Sequence, residues 1–265
     1  MTPERPAVLG IQVHAVELSD ATEIVIEAAR ERKPLGVSAL AVHGLVLASR
    51  DPEMRHRVND LELVVADGQP VRWALNWLHG AGLAERVFGP DLTLEVCRGA
   101  AEEEAPVYLY GSTAETLEQL ESGLSKMFPN LKIAGTRPSR FRPATEQEAA
   151  DDVAAILKSG ARIVFVGLGC PRQEIWTYET RLQLSMPVLA VGAAFDYHAG
   201  LLRRAPSWMS RSGLEWLYRL IQEPRRLWVR YATTNPIYVA GVIAQKLGRD
   251  FDSIGKRPEK QVRPG

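Results

Sequence analysis

Cysteine is scarce in this 265-residue chain, with only Cys97 and Cys170 present. Two thiols cannot build a disulfide framework, and a reducing compartment suits them. An excess of one charge is missing as well, since 32 Lys+Arg face 32 Asp+Glu. Long apolar runs are also absent. The longest near the C-terminus covers 237–244, far short of the roughly 20 residues a spanning helix needs. The opening Met1-Thr2-Pro3-Glu4-Arg5-Pro6 shows no basic segment leading into an apolar one, so no signal peptide is expected. The expected location is the cytoplasm, with any membrane contact peripheral and on the inner face. The five histidines, His43, His56, His79 and His198 among them, are scattered, no Cys-x-x-Cys or His-x-x-x-His occurs, and residues 1–200 hold no Asp-x-Asp. No metal or cofactor is therefore expected. No nucleic-acid motif occurs either, so nucleic acid is not an expected partner.

The composition is that of a globular protein. Apolar residues at 46% and charged residues at 24% exclude disorder and leave enough apolar material for a real core. The zero net charge hides an asymmetry. Residues 201–265 hold 13 Lys+Arg and 5 Asp+Glu, or +8, which leaves 19 against 27, or −8, for residues 1–200. In that tail Trp208, Trp216, Tyr218, Trp228, Tyr231 and Tyr238 interleave with seven arginines between Arg203 and Arg230. This reads as an amphipathic helical appendage suited to an anionic membrane surface. An interface in a homo-oligomer is the plainer reading of the same residues. The expected organisation is an α/β core over 1–200 that folds without the tail, and a helical appendage over 201–265.

Strand and helix signals alternate through the core. Short apolar runs at 37–42, 61–66, 107–110, 131–134, 162–166 and 187–191 predict strands. Helical spacing falls between them, and Ser19-Asp20 with Glu23 reads as a capping box. Such alternation predicts a Rossmann-like fold, a mostly parallel sheet with helices on both faces. Ligands bind such sheets at the carboxyl ends of the strands. That rim brings together Asp67, Gly111-Ser112, Gly167–Gly169 and Asp196.

Asp67 follows an apolar strand and precedes Gly68. A carboxylate there suits a general base in a cleft, or equally the N-cap of the next helix. Gly167-Leu168-Gly169-Cys170-Pro171-Arg172-Gln173-Glu174 joins a strand to a helix, and amides at a helix N-terminus bind phosphate oxygens. Arg172 stands where a dinucleotide fingerprint needs its third glycine, and no P-loop Gly-Lys-Ser/Thr follows. A plain tight turn is the alternative there, and the simpler reading of Gly111-Ser112. Arg86 is either a diphosphate partner or a solvated arginine. Phosphate binding at this rim leaves an NAD(P)-dependent oxidoreductase open, and the basic tail leaves open a non-enzymatic membrane-bound scaffold.

Taken in order, the motifs resemble the WecG/TagA/CpsF glycosyltransferases over residues 10–235. The marks are Ala66-Asp67-Gly68, Arg86-Val87-Phe88-Gly89-Pro90-Asp91-Leu92, the Gly167–Glu174 run, Phe195-Asp196-Tyr197-His198-Ala199-Gly200, Arg204-Ala205-Pro206 and Gly213-Leu214-Glu215-Trp216-Leu217-Tyr218-Arg219-Leu220. The resemblance implies inverting, metal-independent transfer of N-acetylmannosamine or a related hexose or uronic acid. The donor would be a UDP-sugar and the acceptor a polyprenyl-diphosphate-linked sugar, in cell-surface polysaccharide synthesis. It implies Asp67 as base and Arg86 and Gln173 in the donor pocket. The expected UDP-sugar contacts are then Arg86, Tyr110, Gly111, Ser112, Gly167, Gly169, Gln173 and Asp196. The family's usual Thr-x-Asn pair falls on Ala39 and Ala41, which puts Ser38 and His43 forward as acceptor-side polar groups. Arg204 and Arg211 are the arginines expected to meet the acceptor diphosphate.

Overall fold

A computed structural model describes residues 3–265. The chain opens with a small antiparallel hairpin, β1 (Ala7–Val8) and β2 (Ile11–Gln12), followed by α1 (Leu18–Glu31). Then come β3 (Leu35–Leu40), α2 (Val42–Arg50), α3 (Pro52–Asn59), β4 (Leu63–Ala66), α4 (Gln69–His79) and α5 (Gly89–Glu102). The middle holds β5 (Val107–Gly111), α6 (Ala114–Met127), β6 (Ile133–Arg137), α7 (Glu146–Ser159), β7 (Ile163–Gly167), α8 (Arg172–Leu184) and β8 (Pro187–Ala190). Four helices close the order: α9 (Ala194–His198), α10 (Ser207–Arg211), α11 (Glu215–Gln222) and α12 (Pro224–Lys246).

Strands β3 to β8 form one six-stranded sheet in the order β4-β3-β8-β7-β5-β6, and every neighbouring pair is parallel. The expected α/β architecture is therefore present. Its strands read as continuous apolar runs because both faces are covered. Val107, Leu109, Ile163 and Phe165 pack with α1, α5, α6 and α9 on one face. Their alternates Tyr108, Tyr110, Val164 and Val166 pack with α7 and α8 on the other. A third cluster joins Leu40, Val64 and Ala66 to α2, α3, α4 and α12.

Local chemistry departs from expectation at the start of α1. Helix α1 starts one turn earlier than the Ser19-Asp20 reading. Glu17 is its N-cap and Asp20 completes the capping box, because a carboxylate serves there as well as a hydroxyl. Helix α7 carries a buried acid on the face it turns to the core. Thr145 and Glu148 cap that helix, and Asp152 sits mid-helix, 2% exposed. It pairs with Arg137 at 2.7 Å and Arg140 at 2.5 Å.

The segment after Gly200 is helical from Ser207 to Lys246 in three pieces. Helix α12 does not stand apart from the core. Its Tyr238 and Val242 are buried in the same cluster as Val8, Val71 and Leu75. The Tyr238 hydroxyl donates to the Pro70 carbonyl at 2.8 Å, and Lys246 Nζ to that of Trp77 at 2.7 Å. Beyond α12 the chain runs back across the molecule. The Ser253 carbonyl accepts from Asn59 at 2.9 Å, and that of Arg263 accepts from the Ala144 amide at 2.8 Å. A chain ending at 200 would leave the α2–α4 face uncovered, so independent folding of 1–200 does not follow from this packing.

Candidate active site

The carboxyl ends of β3, β4, β7 and β8 open into one cavity of about 710 Å³, a size ordinary for a cofactor or nucleotide-sized ligand. Helices α11 and α12 wall it opposite the sheet, through Glu215, Trp216, Arg219, Arg226, Arg230 and Tyr231.

Asp67 lies at the floor. Its amide extends the β3–β4 pairing by donating to the Leu40 carbonyl at 3.3 Å. On the other side the 86–89 segment runs beside β4, with the Val87 amide donating to Ala66 at 3.0 Å. This brings the Gly89 amide onto Asp67 Oδ1 at 2.6 Å. Asp67 is thus not the cap of α4, whose N-cap is Gly68. Its carboxylate takes an N–H from the first turn of α5 instead. Gly89 sits in close quarters: a Cβ there would stand 3.2 Å from Asp67 Oδ1 and 3.3 Å from the Ala39 Cβ and the Val191 carbonyl, so the neighbours would have to give by a few tenths of an ångström. Pro90 in the first turn of α5 needs no partner for its nitrogen.

Burial pushes the Asp67 pKa up to about 6, against the opposing pull of Arg86 and the Gly89 amide. A carboxylate of that basicity is mostly ionised near neutrality and still able to take a proton, as a general base requires. Arg86 is held by two contacts. Its guanidinium pairs with Glu215 of α11 and lies over the Phe88 ring at 4.0 Å. Glu215 also accepts from Ser210 Oγ at 3.2 Å. Arg219 stands over the Tyr197 ring at 5.5 Å, and both residues line the cavity. The C-terminal helices thus supply part of the site's charge.

The sequence-expected residues divide into two sets. Asp67, Arg86, Gly169, Gln173 and His43 line the cavity together. Gly169 adopts φ +77 with open space around it, as a turn exposing amides requires. The others lie elsewhere. Tyr110 is fully buried, stacked on Trp176 at 4.4 Å and donating to Asp152 at 3.0 Å. Gly111 and Gly167 bring two strands and a ring together: a Cβ on Gly111 would stand 2.8 Å from the Gly167 carbonyl carbon, and one on Gly167 2.5 Å from the Phe195 ring. Ser112 donates its amide to the Gly167 carbonyl at 3.1 Å. Asp196 is half-buried in α9, and its carbonyl accepts from the Leu201 and Leu202 amides. Ser38 is fully buried inside β3. Arg204 pairs with Asp91 at 2.6 Å, and Arg211 ends α10 exposed to solvent. None of these eight lines the cavity.

Sequence reasoning did not select Glu174, Arg219, Arg230, Trp73 or Trp77, all of which line the cavity. Glu215 and Glu174 stood inside quoted motifs, and their charge within otherwise apolar surroundings was the available signal. Among the described residues, no three His, Cys, Asp or Glu side chains group as a metal site would need. No helix among them is long and apolar enough to cross a membrane.

The cleft combines a basic carboxylate at a strand end, a helix N-terminus beside it and arginines above. The model of the glycosyl transferase WecG/TagA/CpsF family matches residues 6–251, and the chain belongs to that family of glycosyltransferases.

Proposed function

We propose that the protein transfers a hexose, N-acetylmannosamine or a related sugar or uronic acid, from a UDP-sugar to a polyprenyl-diphosphate-linked sugar. The product would be an intermediate of a cell-surface polysaccharide. The observation that carries this reading is Asp67, raised in basicity on the floor of a cavity that also exposes the Gly169 turn and Arg86. Asp67 takes the proton of the acceptor hydroxyl as that oxygen attacks the anomeric carbon in line, which inverts the configuration. The charge on the departing UDP is met by the amides at the start of α8 and by arginine side chains.

Peripheral attachment to the inner membrane face is supported by the cavity mouth. Trp73, Trp77 and Trp216 are exposed there, as are Trp208 and Trp228 nearby in the chain, and indole rings favour the headgroup zone. The test is a panel of UDP-sugars against polyprenyl-diphosphate sugars, read by mass spectrometry, with and without EDTA. Transfer from one UDP-sugar with a β-linked product and full activity in EDTA is expected. Binding of NAD in place of UDP in a calorimetric titration would overturn the reading.

A further inference from the structure

The cavity carries polar groups away from Asp67 that the transfer step does not use. Besides Arg219 Nε, whose guanidinium lies over the Tyr197 ring, four of its lining side chains have a buried polar atom without a hydrogen-bond partner: His43 Nδ1, Gln173 Oε1, Glu174 Oε2 and Arg230 Nε. They come from the first turns of α2 and α8 and from α12. Close backbone approach holds the first two elements in place. A Cβ on Gly44 would stand 3.2 Å from Cys170 Sγ, and one on Gly192 3.0 Å from Gln173 Oε1.

Glu174 is the unusual member. It is 1% exposed, and its Oε1 accepts from Gln173 Nε2 at 2.9 Å. The other buried acids are paired with cations, Asp152 with Arg137 and Arg140 and Glu215 with Arg86. Glu174 has no such ion pair. Besides Gln173 it has the Cys170 thiol, a weak donor, its own backbone amide, and the Arg230 charge without a direct ion pair. Buried polar atoms are nearly always satisfied, so these four orphans lining one cavity mark where a ligand's polar atoms belong.

Their chemistry identifies the ligand. A carboxylate oxygen and an amide oxygen accept, a neutral imidazole nitrogen accepts or donates according to its tautomer, and a guanidinium N–H donates. Burial keeps His43 neutral by lowering its pKa to about 4. An anion would meet the Glu174 carboxyl, and a hydrocarbon chain would leave all four atoms unsatisfied. Adjacent hydroxyls match, because each O–H donates to an acceptor while its oxygen takes the guanidinium proton. We propose that Glu174 and His43, with Arg230 above them, form a hydroxyl-recognition subsite that selects the sugar by two neighbouring free hydroxyls. The proposal rests on the reading of the site as a UDP-sugar transferase, and the same chemistry fits a hexose of the donor or of the acceptor.

Steady-state kinetics of the full chain with Glu174→Gln and His43→Ala tests it, alongside UDP titration calorimetry. Each variant is expected to raise the KM of one sugar substrate by about 10-fold or more, as loss of a hydrogen bond to a charged or buried group does. The UDP Kd is expected to stay within twofold of wild type. A rise confined to the UDP-sugar KM assigns the subsite to the donor, and one confined to the acceptor KM assigns it to the acceptor. A deoxy analogue of that sugar, lacking the contacted hydroxyl, should lose the same factor on wild type and nothing further on Glu174→Gln. Unchanged KM values for both substrates in both variants overturn the subsite. So does a parallel loss of UDP affinity, which would place Glu174 under the nucleotide. Should Glu174→Gln fail to fold, the half-buried His43→Ala carries the same comparison. A wild-type protein that neither binds UDP nor transfers sugar refutes the function itself, a result distinct from these.

Discussion

Replacing Asp67 by asparagine separates two consequences of burying a carboxylate. The amide keeps the shape and still accepts the Gly89 N–H at Oδ1, so the approach of α5 is preserved. What disappears is the proton acceptor. General-base help is worth roughly 100- to 10,000-fold, and turnover should fall by about that factor with UDP affinity nearly intact. Stability should move the other way. The Asp67 pKa rises from an ordinary value near 4 to about 6 because burial disfavours its charge. The native state therefore holds this proton more tightly than the unfolded chain does. Wild-type stability then falls as pH rises from about 4 through about 6, and stays lower above that. The full difference is ~3 kcal/mol, and the remaining solvent contact of this half-buried group reduces it to about 1–2 kcal/mol. Asp67→Asn should match wild type at pH 4 and exceed it at pH 8, with a melting temperature higher by about 2–4 °C per kcal/mol. Thermal unfolding by circular dichroism at both pH values, paired with a UDP-release assay at pH 8, reads both effects. Wild-type turnover in the variant would remove Asp67 from the mechanism. A stability gap independent of pH would show that burial is not what raises its basicity.

Other outcomes follow from the same contacts. The acid limb of wild-type kcat/KM should fall below pH 6, since protonated Asp67 cannot act as base. Glu215→Gln removes a negative charge that raises Asp67 and frees Arg86, so that limb should move to lower pH in a pH–rate profile. Tyr238→Phe deletes the buried bond to Pro70 and should cost ~1 kcal/mol in denaturant unfolding. Truncation after residue 200 uncovers the apolar face met by Tyr238 and Val242. It should lower the melting temperature as well as abolish binding to anionic liposomes, whereas a fully stable truncated core would show that α12 adds nothing to the fold.

The order of elements and the sheet class were determined along the chain, because a strand buried on both faces must be apolar at every position, as in 163–166. Asp67 was legible for a related reason. A carboxylate that interrupts such a run directly after β4 has to lie at the strand's carboxyl end. Strand order, and therefore which strand ends share one cavity, was decided by tertiary packing. Turns after β5 and β7 look alike as sequence, with glycine closing each. Only the β4-β3-β8-β7 neighbourhood leaves Gly111-Ser112 outside the cavity while Gly169 and Gln173 lie within it. In the same way Glu215 and Arg230 read as surface charge on amphipathic helices until α11 and α12 fold back over the sheet. Side-chain period shows which face of a helix is apolar. It does not say which distant carboxylate an arginine will meet, because that depends on loops whose path is set by the sum of many small contacts.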